Sequence, residues 1–194
     1  DALTLALTAT GATGAMNYES VATGALTLNA VSTAGNAVTI SHAGNIAATS
    51  VTTTTGNQTI TTSSGTIAVT DINASTGAVN ITGTDDITIN NTGSITATGA
   101  ANIDIDASAG HIRSNAADDD AAEIITAGGT VSLEARDGIA DSSGGDGFEI
   151  DSSGGNVTVV ADGTGAVFVD YVVAAADALT LALTATGATG AMNY

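Results

Sequence analysis

Cysteine, proline, tryptophan and lysine are all missing from this 194-residue chain, and aromatic residues make up only 3% of it. The absence of cysteine leaves the redox compartment open, because disulfides are one route to extracellular stability and a long repetitive core is another. So few large side chains argue against a compact enzyme built around them. Positive charge is scarce as well, since the chain has two arginines, Arg113 and Arg136, and 20 acidic residues, which gives a net charge of −18. Such a chain cannot hold nucleic acid against its own charge.

The sequence also lacks a long uninterrupted hydrophobic run. Its most apolar stretch, residues 166–183, contains two aspartates. Apolar residues occupy every second position in part of it, at Val167, Val169 and Tyr171. Alternation of this kind is typical of strands and not of a membrane-spanning helix. We therefore expect a buried strand pair here and no membrane span in this segment.

What the chain has in quantity is Ala, Val, Ile, Leu, Thr, Gly, Asn and Asp. Hydrophobic residues make up 43%, which argues against disorder despite the charge. Because β-branched residues favour strands and Gly, Asn and Asp favour tight turns, the composition predicts an all-β fold of many short strands.

Residues 1–18, DALTLALTATGATGAMNY, recur unchanged as residues 177–194. An identity of this length is typical of a tandem array. The sequence therefore predicts that residues 1–176 are one full repeat unit and that residues 177–194 begin the next identical repeat.

A shorter period runs inside the unit, marked by an apolar-x-apolar triplet. The triplets are Leu3/Leu5, Leu26/Leu28, Val38/Ile40, Val79/Ile81, Ile103/Ile105, Val131/Leu133, Val157/Val159 and Leu179/Leu181, with a weaker member at Gln58/Ile60. Their spacing averages about 22 residues, although the step from Leu26 to Val38 is too short for a full turn of chain. Counted this way, the unit holds about eight coils.

A second apolar residue follows most triplets after a small turn, as in Gly44-Asn45-Ile46 and Gly65-Thr66-Ile67. Stacked coils need the same strand, turn, strand phrase at each pass, whereas antiparallel hairpins do not. The pattern therefore predicts a parallel β-helix, or β-solenoid. Gly-Asn pairs precede triplets at Gly35-Asn36, Gly56-Asn57 and Gly155-Asn156, where we expect turns that need a positive φ.

Phrases such as GNAVTISHAGNIAATSV and GGTVSLEARDGIA resemble the coils of filamentous-haemagglutinin-like bacterial exoproteins, the large adhesins of two-partner secretion. The resemblance covers roughly residues 21–160. It implies a right-handed β-helix, export to the cell surface and an elongated rod. The unchanged repetition of a whole unit and the lack of lysine depart from that family and shift the expectation from a host-binding adhesin towards a fibre or sheath.

Acidic residues are unevenly distributed, with twelve of the 20 lying between Asp104 and Asp151. Clustered carboxylates suit Ca²⁺ or Mg²⁺, which prefer oxygen ligands, although a solvated acidic face would have the same composition. The candidate ligands are Asp118, Asp119, Asp120, Asp146, Glu149 and Asp151. No cofactor is required by this interpretation, and any divalent ion would be an addition.

The block Asp1 to Val21 fits the coil pattern worst. With Met16 and Tyr18 it is a candidate surface for self-association between rods or copies, or else an ordinary coil with a long loop.

An enzyme is the first alternative, because Asp85, Asp86, His111 and Arg113 superficially resemble the acid pair and the His and Arg elements of polygalacturonase-like enzymes. Glycosidases need a carboxylate pair in a cleft, usually with aromatic platforms, and the chain has no tryptophan. We therefore predict no catalysis. His42 and His111 are isolated in the sequence and are expected at the surface.

Ice binding is the second alternative, since Thr-x-Thr pairs such as Thr52/Thr54, Thr59/Thr61 and Thr82/Thr84 recur. Their offsets within the coil vary, which predicts no continuous row of threonines.

These observations together predict a structural repeat of a long extracellular or cell-surface filament or sheath that associates with itself. The alternative is the stalk of a large secreted adhesin whose binding domain lies outside this segment. An ice-binding or Ca-dependent surface protein is the third possibility.

Overall fold

The computed structural model describes residues 2–10, 14–115, 121–141, 147–171, 180–186 and 192–193. Within these ranges the chain forms strands and no helix. The strands are β1 (Leu3–Leu5), β2 (Thr8–Ala9), β3 (Met16–Ser20), β4 (Leu26–Leu28), β5 (Val31–Thr33), β6 (Val38–His42), β7 (Ile46–Ala48), β8 (Val51–Thr53), β9 (Gln58–Thr62), β10 (Ile67–Ala74), β11 (Val79–Gly83), β12 (Ile87–Ala97), β13 (Ile103–Ala107), β14 (His111–Ser114), β15 (Ile124–Thr126), β16 (Val131–Ala135), β17 (Gly138–Asp141), β18 (Phe148–Ser152), β19 (Asn156–Ala161), β20 (Val167–Tyr171), β21 (Thr180–Ala185) and β22 (Met192–Asn193).

These strands pair in parallel and stack into three columns. Column 1 contains β1, β4, β7, the first parts of β10 and β12, then β14, β17, the beginning of β20, and β22. Column 2 contains β2, β5, β8, the second parts of β10 and β12, then β15, β18 and the end of β20. Column 3 is the separate eight-stranded sheet β3, β6, β9, β11, β13, β16, β19 and β21.

The chain visits columns 1, 2 and 3 in order and then returns to column 1 one strand further along. The eight strands of column 3 therefore mark seven complete turns. The turns differ in length. The shortest in column 3 runs from Val38 to its register partner Gln58, and the longest runs from Ile103 to Val131. The predicted all-β parallel β-solenoid is confirmed.

The sequence-based count of about eight coils covers a whole unit, whereas these seven turns run from Met16 to Leu181, and the count also treats the short step from Leu26 to Val38 as a full coil. Leu26 and Leu28 lie on β4 in column 1, whereas Val38 and Ile40 lie on β6 in column 3. The step is a change of column within one turn. The triplets before it and after it mark different columns.

Aliphatic side chains stack in rows inside the coil because residues alternate between inside and outside along each strand. One row runs through Ile40, Ile60, Ile81 and Ile105, all fully buried and in register on successive turns. Burying a side chain of this size contributes roughly 1.5–3 kcal/mol. The rows join into one continuous core along the axis.

Glycines at the corners allow the turns to stack closely. The prediction of positive φ at the Gly-Asn pairs is wrong. Positive φ occurs elsewhere, for example at Gly65 and Gly138, and not at Gly35, Gly56 or Gly155. A Cβ on Gly56 would lie 2.0 Å from the backbone oxygen of the preceding turn's Asn36. Here glycine is required by the approach of two backbones.

Asparagines at the corners bond to the backbone of the next turn. The Oδ1 atoms of Asn45, Asn57 and Asn102 each accept a hydrogen bond of 3.0 Å from a backbone N–H on the following turn. These contacts satisfy corner donors that the strands do not reach.

The apolar stretch 166–183 contains β20 and the start of β21, with residues 172–179 outside the described ranges. Two strands are therefore present, but they do not form the expected buried pair, because they lie in different columns and β21 is not buried. The described residues include no helix with the length and hydropathy required to cross a membrane.

Candidate functional site

The predicted divalent cation site lies mostly outside the described residues, since Asp118, Asp119, Asp120 and Asp146 fall in segments 116–120 and 142–146, which the structure does not describe. Glu149 and Asp151 are both on β18, where Glu149 is buried and Asp151 is half-buried. Among the residues that the structure does describe, no group of three His, Asp or Glu side chains could hold a metal ion. A Ca²⁺ or Mg²⁺ site therefore stays a prediction.

Glu123 is a buried carboxylate that the sequence analysis missed, with 2% of its surface exposed. Its Oε1 accepts a hydrogen bond from the Ser114 hydroxyl at 2.7 Å, and its Oε2 accepts one from the backbone N–H of Glu149 at 2.8 Å. Its own backbone oxygen accepts from the N–H of Ile95 at 2.8 Å. One residue thus joins three successive turns.

The signal that could have found this residue is a repeated phrase. Glu123 comes directly before Ile124, as Glu149 comes before Ile150, and the two isoleucines are register partners on β15 and β18. Acids at matching positions on successive turns must stack. The acidic segment is therefore not wholly a solvated face, because Glu123 and Glu149 are both buried.

Asp86, His111 and Arg113 form a half-exposed polar cluster where β12 and β14 begin. Asp86 Oδ1 accepts the backbone N–H of His111 at 2.8 Å and lies 3.1 Å from its Nδ1. Arg113 Nη2 lies 2.6 Å from the same Nδ1 and 3.7 Å from Asp86 Oδ2. Partial burial opposes ionisation of Asp86, but the hydrogen bonds from His111 and the charge of Arg113 hold the pKa of this carboxyl below its usual value.

A cleft of about 240 Å³ opens beside this cluster. It exists because the next turn places Gly138 opposite His111 and Ala140 opposite Arg113, so no long side chain covers them. Asp137 is the carboxylate among its described lining residues. Asp86 is already engaged with His111, and the geometry of an acid pair flanking a sugar bond is not formed by described residues here.

The two histidines are placed differently from expectation. His42 is buried, with 3% of its surface exposed, and its Nε2 donates to the backbone oxygen of Gly24 at 2.6 Å. It faces Tyr18 with the ring centres 6.4 Å apart. His111 is half-exposed and belongs to the cluster with Asp86. The expected surface position is therefore wrong for His42, whereas His111 does lie at the surface, paired with Asp86.

An acidic row follows the outer face of column 3 and is formed by Asp104, Asp106, Glu134 and Asp162. Asp106 on β13 is the register partner of Glu134 on β16. Burial, with the charges of Asp104 and Asp162, raises the pKa of Asp106. A hydrogen bond with Asp162, followed by burial and the neighbouring charges, raises the pKa of Glu134. Like charges one strand apart thus oppose ionisation.

The threonine pairs do not form one continuous row. On column 3, Thr39 and Thr59 stack in register, but Asn80 and Asp104 follow on the next turns. The expectation of interrupted threonine rows is confirmed for this face.

Both ends of the solenoid present open strand edges. The first turn comprises β1, β2 and β3, each of which pairs on one side with the following turn. Met16 and Tyr18 lie on β3, half-buried against the core, so this block is a coil. At the other end Leu181 and Leu183 on β21 are half-buried in the same way.

These inward side chains are less covered than those of the inner turns. Leu3 is 46% exposed at one end and Met192 is 50% exposed at the other, whereas the equivalent aliphatic positions inside the solenoid are fully buried. The candidate residues Met16 and Tyr18 lie on β3 in the first of the described turns, and self-association through them stays a prediction.

Comparison of the chain with protein-family models, with curated proteins and with solved structures found no match. The resemblance to filamentous-haemagglutinin-like exoproteins stays a prediction from the sequence.

Proposed function

We propose that this chain is a structural repeat of a long extracellular filament or sheath, without catalytic activity, in which each copy stacks end to end on the next. The observation that supports this is that the segment occurring twice packs on the parallel stack in both of its positions, so the stack continues from one copy into the next. Open strand edges are otherwise an aggregation hazard that folds cover or block.

The occupant of each end is a further copy of the same repeat. The segment that occurs twice supplies strands to both end turns, so one sequence already packs on the core at either end. Each added turn lengthens the rod by about 4.8 Å, and a parallel stack can continue without a limit on length. The net charge of −18 keeps such rods apart sideways.

The test blocks the first edge without disturbing its pairing to the second turn. Leu3 N–H donates to Ala25 O, and Leu5 O accepts from Asn29 N–H, so the N–H of Thr4 points to the open side. On β3 the N–H of Met16 donates to Ala37 O, so that of Asn17 also points outwards. Proline at these two positions removes outward donors only.

We expect the unmodified chain to form rods of constant width and concentration-dependent length, seen by negative-stain electron microscopy and sedimentation velocity. The double variant Thr4→Pro/Asn17→Pro should stay short, whereas the control Thr4→Ala/Asn17→Ala, which keeps both donors, should elongate normally. A monomeric unmodified chain at all concentrations would contradict the proposal. Elongation of the proline variant would show that the ends are not the contact.

A stalk of a secreted adhesin would use the same solenoid. A distinct, non-repetitive terminal domain in the full polypeptide would favour the stalk, and ordered filaments assembled from the repeat alone would favour the fibre.

A further inference from the structure

The cleft beside His111 is lined by two opposite charges that are not paired with each other. Arg113 and Asp137 are both among its lining residues. The ion pairs found among the described residues join His111 and Arg113 to Asp86, and neither of them includes Asp137. A guanidinium and a carboxylate therefore border the same small space with room left between them.

Arg113 also competes with Asp86 for one atom of His111. Arg113 Nη2 lies 2.6 Å from His111 Nδ1, and Asp86 Oδ1 lies 3.1 Å from the same atom. An arginine N–H always donates and a carboxylate oxygen accepts, so Nδ1 bonds to Asp86 when it carries a proton and to Arg113 when it does not. One nitrogen cannot satisfy both groups at once. When the Nδ1–H donates to Asp86, the guanidinium needs another acceptor.

The backbone holds the walls of the cleft in place. The N–H of His111 donates to Asp86 Oδ1 at 2.8 Å, and the N–H of Asp137 donates to the oxygen of Gly110 at 2.9 Å, so each wall is tied to the turn before it. Gly138 packs closely as well, because a Cβ there would lie 2.7 Å from a backbone oxygen of the next turn. A cleft that is already formed binds a ligand at a lower ordering cost than one that must fold around it.

The guanidinium is accessible because its neighbours along column 1 are short. Arg113 belongs to an outward row in which the register partners on the earlier turns and on the next turn are small: Thr27, Ala47, Ala68, Thr88 and Ala140. The Arg113 side chain is 39% exposed. One long cation thus stands in a row of short side chains at the edge of the cleft.

The charges around the cleft determine which ligand fits. A net charge of −18, with Asp86 and Asp137 close by, repels a small anion. A small cation would in turn meet the charge of Arg113. A zwitterion avoids both penalties, because it has no net charge and presents a carboxylate and an ammonium together. The volume of about 240 Å³ is below the range typical of sites for drug-sized ligands, so the occupant must be small.

We propose that this cleft binds a small zwitterion, a molecule with one carboxylate and one ammonium group. The carboxylate accepts paired N–H groups from Arg113, and the ammonium donates to the carboxylate of Asp137. His111 is then left to donate its Nδ1–H to Asp86. No covalent bond is made or broken. Binding here does not depend on the assembly of rods, and a tandem array would carry one such cleft in every repeat.

The test is a nuclear magnetic resonance titration of the isotope-labelled full chain with glycine, β-alanine and γ-aminobutyrate, in which the two charges are progressively further apart. At least one of them should shift the amide signals of Gly138 and Ala140, which line the cleft, in a saturable way. The ring nitrogen signals of His111 should move towards the form with a proton on Nδ1. Acetate and methylammonium, which carry one charge each, should bind at least about tenfold more weakly at constant ionic strength, because each pairs with one side of the cleft only.

Two variants and two matched controls locate the binding. Arg113→Gln and Asp137→Asn should each weaken it at least about tenfold, because each removes one charged partner. Arg136→Gln changes the other arginine and Asp85→Asn changes an exposed acid outside the cleft lining, and each should alter the affinity by less than about twofold. Asp137→Asn leaves the contacts among Asp86, His111 and Arg113 intact, so it remains informative if Arg113→Gln disturbs the fold.

The proposal is overturned if none of the three zwitterions gives saturable shifts. It is equally overturned if acetate binds as tightly as the best zwitterion, which would indicate a simple anion site at Arg113, or if the Asp137→Asn variant binds as tightly as the controls. Rods that form while the cleft stays empty would leave the proposed function intact. Binding by a chain that never forms rods would sink the proposed function and not the cleft.

Discussion

A buried acid in a stacked coil acts on more than its own turn. Glu123 accepts hydrogen bonds from Ser114 on its own turn, from the backbone of Ile95 on the preceding turn and from the backbone of Glu149 on the following one. Both carboxyl oxygens accept a hydrogen bond, so neither is left without a partner in the core. The sequence could not reveal this role, since an acid within an acid-rich segment is typical of a solvated surface.

Replacing Glu123 by glutamine tests this arrangement. The amide has one oxygen, so one of the two donors loses its acceptor, and we expect a loss of about 1–3 kcal/mol in the free energy of unfolding. Urea denaturation followed by circular dichroism measures it. Glu19→Gln, the same change at an exposed position on β3, should alter stability by less than about 0.5 kcal/mol. Equal effects of the two changes would argue against the buried network.

The acidic row predicts that replacing one of its acids raises the stability of the chain, and that this gain depends on pH. The pKa of Glu134 is raised in the folded chain, so its ionised form is destabilising above that pKa, and the penalty disappears as the pH falls towards 4.5, the ordinary value. Glu134→Gln should therefore raise the melting temperature at neutral pH and not below pH 4.5. The gain should be less than about 1 kcal/mol and smaller in high salt, because the group is exposed. A gain that is equal at both pH values would contradict this origin.

At the scale of the element, a turn is defined by its corners as much as by its strands. Gly56 and Gly35 occupy the same kind of corner on consecutive turns, but their surroundings differ. A Cβ at Gly35 would meet only Thr55 Oγ1, at 3.4 Å, whereas one at Gly56 would collide with backbone.

This pair offers a matched comparison. Gly56→Ala should destabilise the chain by about 1–3 kcal/mol, the range for forced overpacking, whereas Gly35→Ala should change it by less than about 0.5 kcal/mol. Thermal melting of the two variants measures the difference. If both alanine variants lost the same stability, the corners would need glycine for its backbone freedom and not because a Cβ atom has no space.

The alternation of apolar and polar residues along the strands predicted the solenoid but not the column that each strand joins. Triplets such as Ile103/Ile105 show which side chains face inwards, because side chains point alternately to the two faces of a strand and this alternation can be seen within a few residues. Whether a triplet joins column 1 or column 3 depends on the length of chain between strands, and the turns are not equally long. That variation is why Leu26/Leu28 and Val38/Ile40 were counted as separate coils.

The candidate site was predictable only in part for the same reason. His111 and Arg113 stand close together in the sequence, but Asp86 joins them only through the register of the preceding turn. His42 is polar and yet points inwards, because it occupies the last inward position of β6 and reaches a carbonyl there. Contacts between turns depend on register that a single sequence does not display.

For the whole molecule, charge and shape determine how copies meet sideways. A net charge of −18 spread along a rod repels its neighbours unless counter-ions intervene. Divalent cations neutralise clustered carboxylates more effectively than sodium does, because they bind several oxygens at once.

We therefore expect millimolar Ca²⁺ or Mg²⁺ to bundle the rods, measured as light scattering that a chelator reverses. Sodium chloride at the same ionic strength is the control and should produce little scattering. Equal scattering in both salts would show that divalent cations have no particular role in bundling the rods. A melting temperature that rises with Ca²⁺ before bundling begins would indicate a specific site in the segments around Asp118–Asp120 and Asp146.

The hydrogen bonds between turns run along the axis, and this orientation determines the mechanics of the chain. Tension applied to the two ends loads these bonds one turn after another, so the strands peel apart and do not shear together. A single released turn frees roughly 70 Å of extended chain in place of about 4.8 Å of rise. Under load the molecule would lengthen by steps at modest force, which gives it the behaviour of a shock absorber.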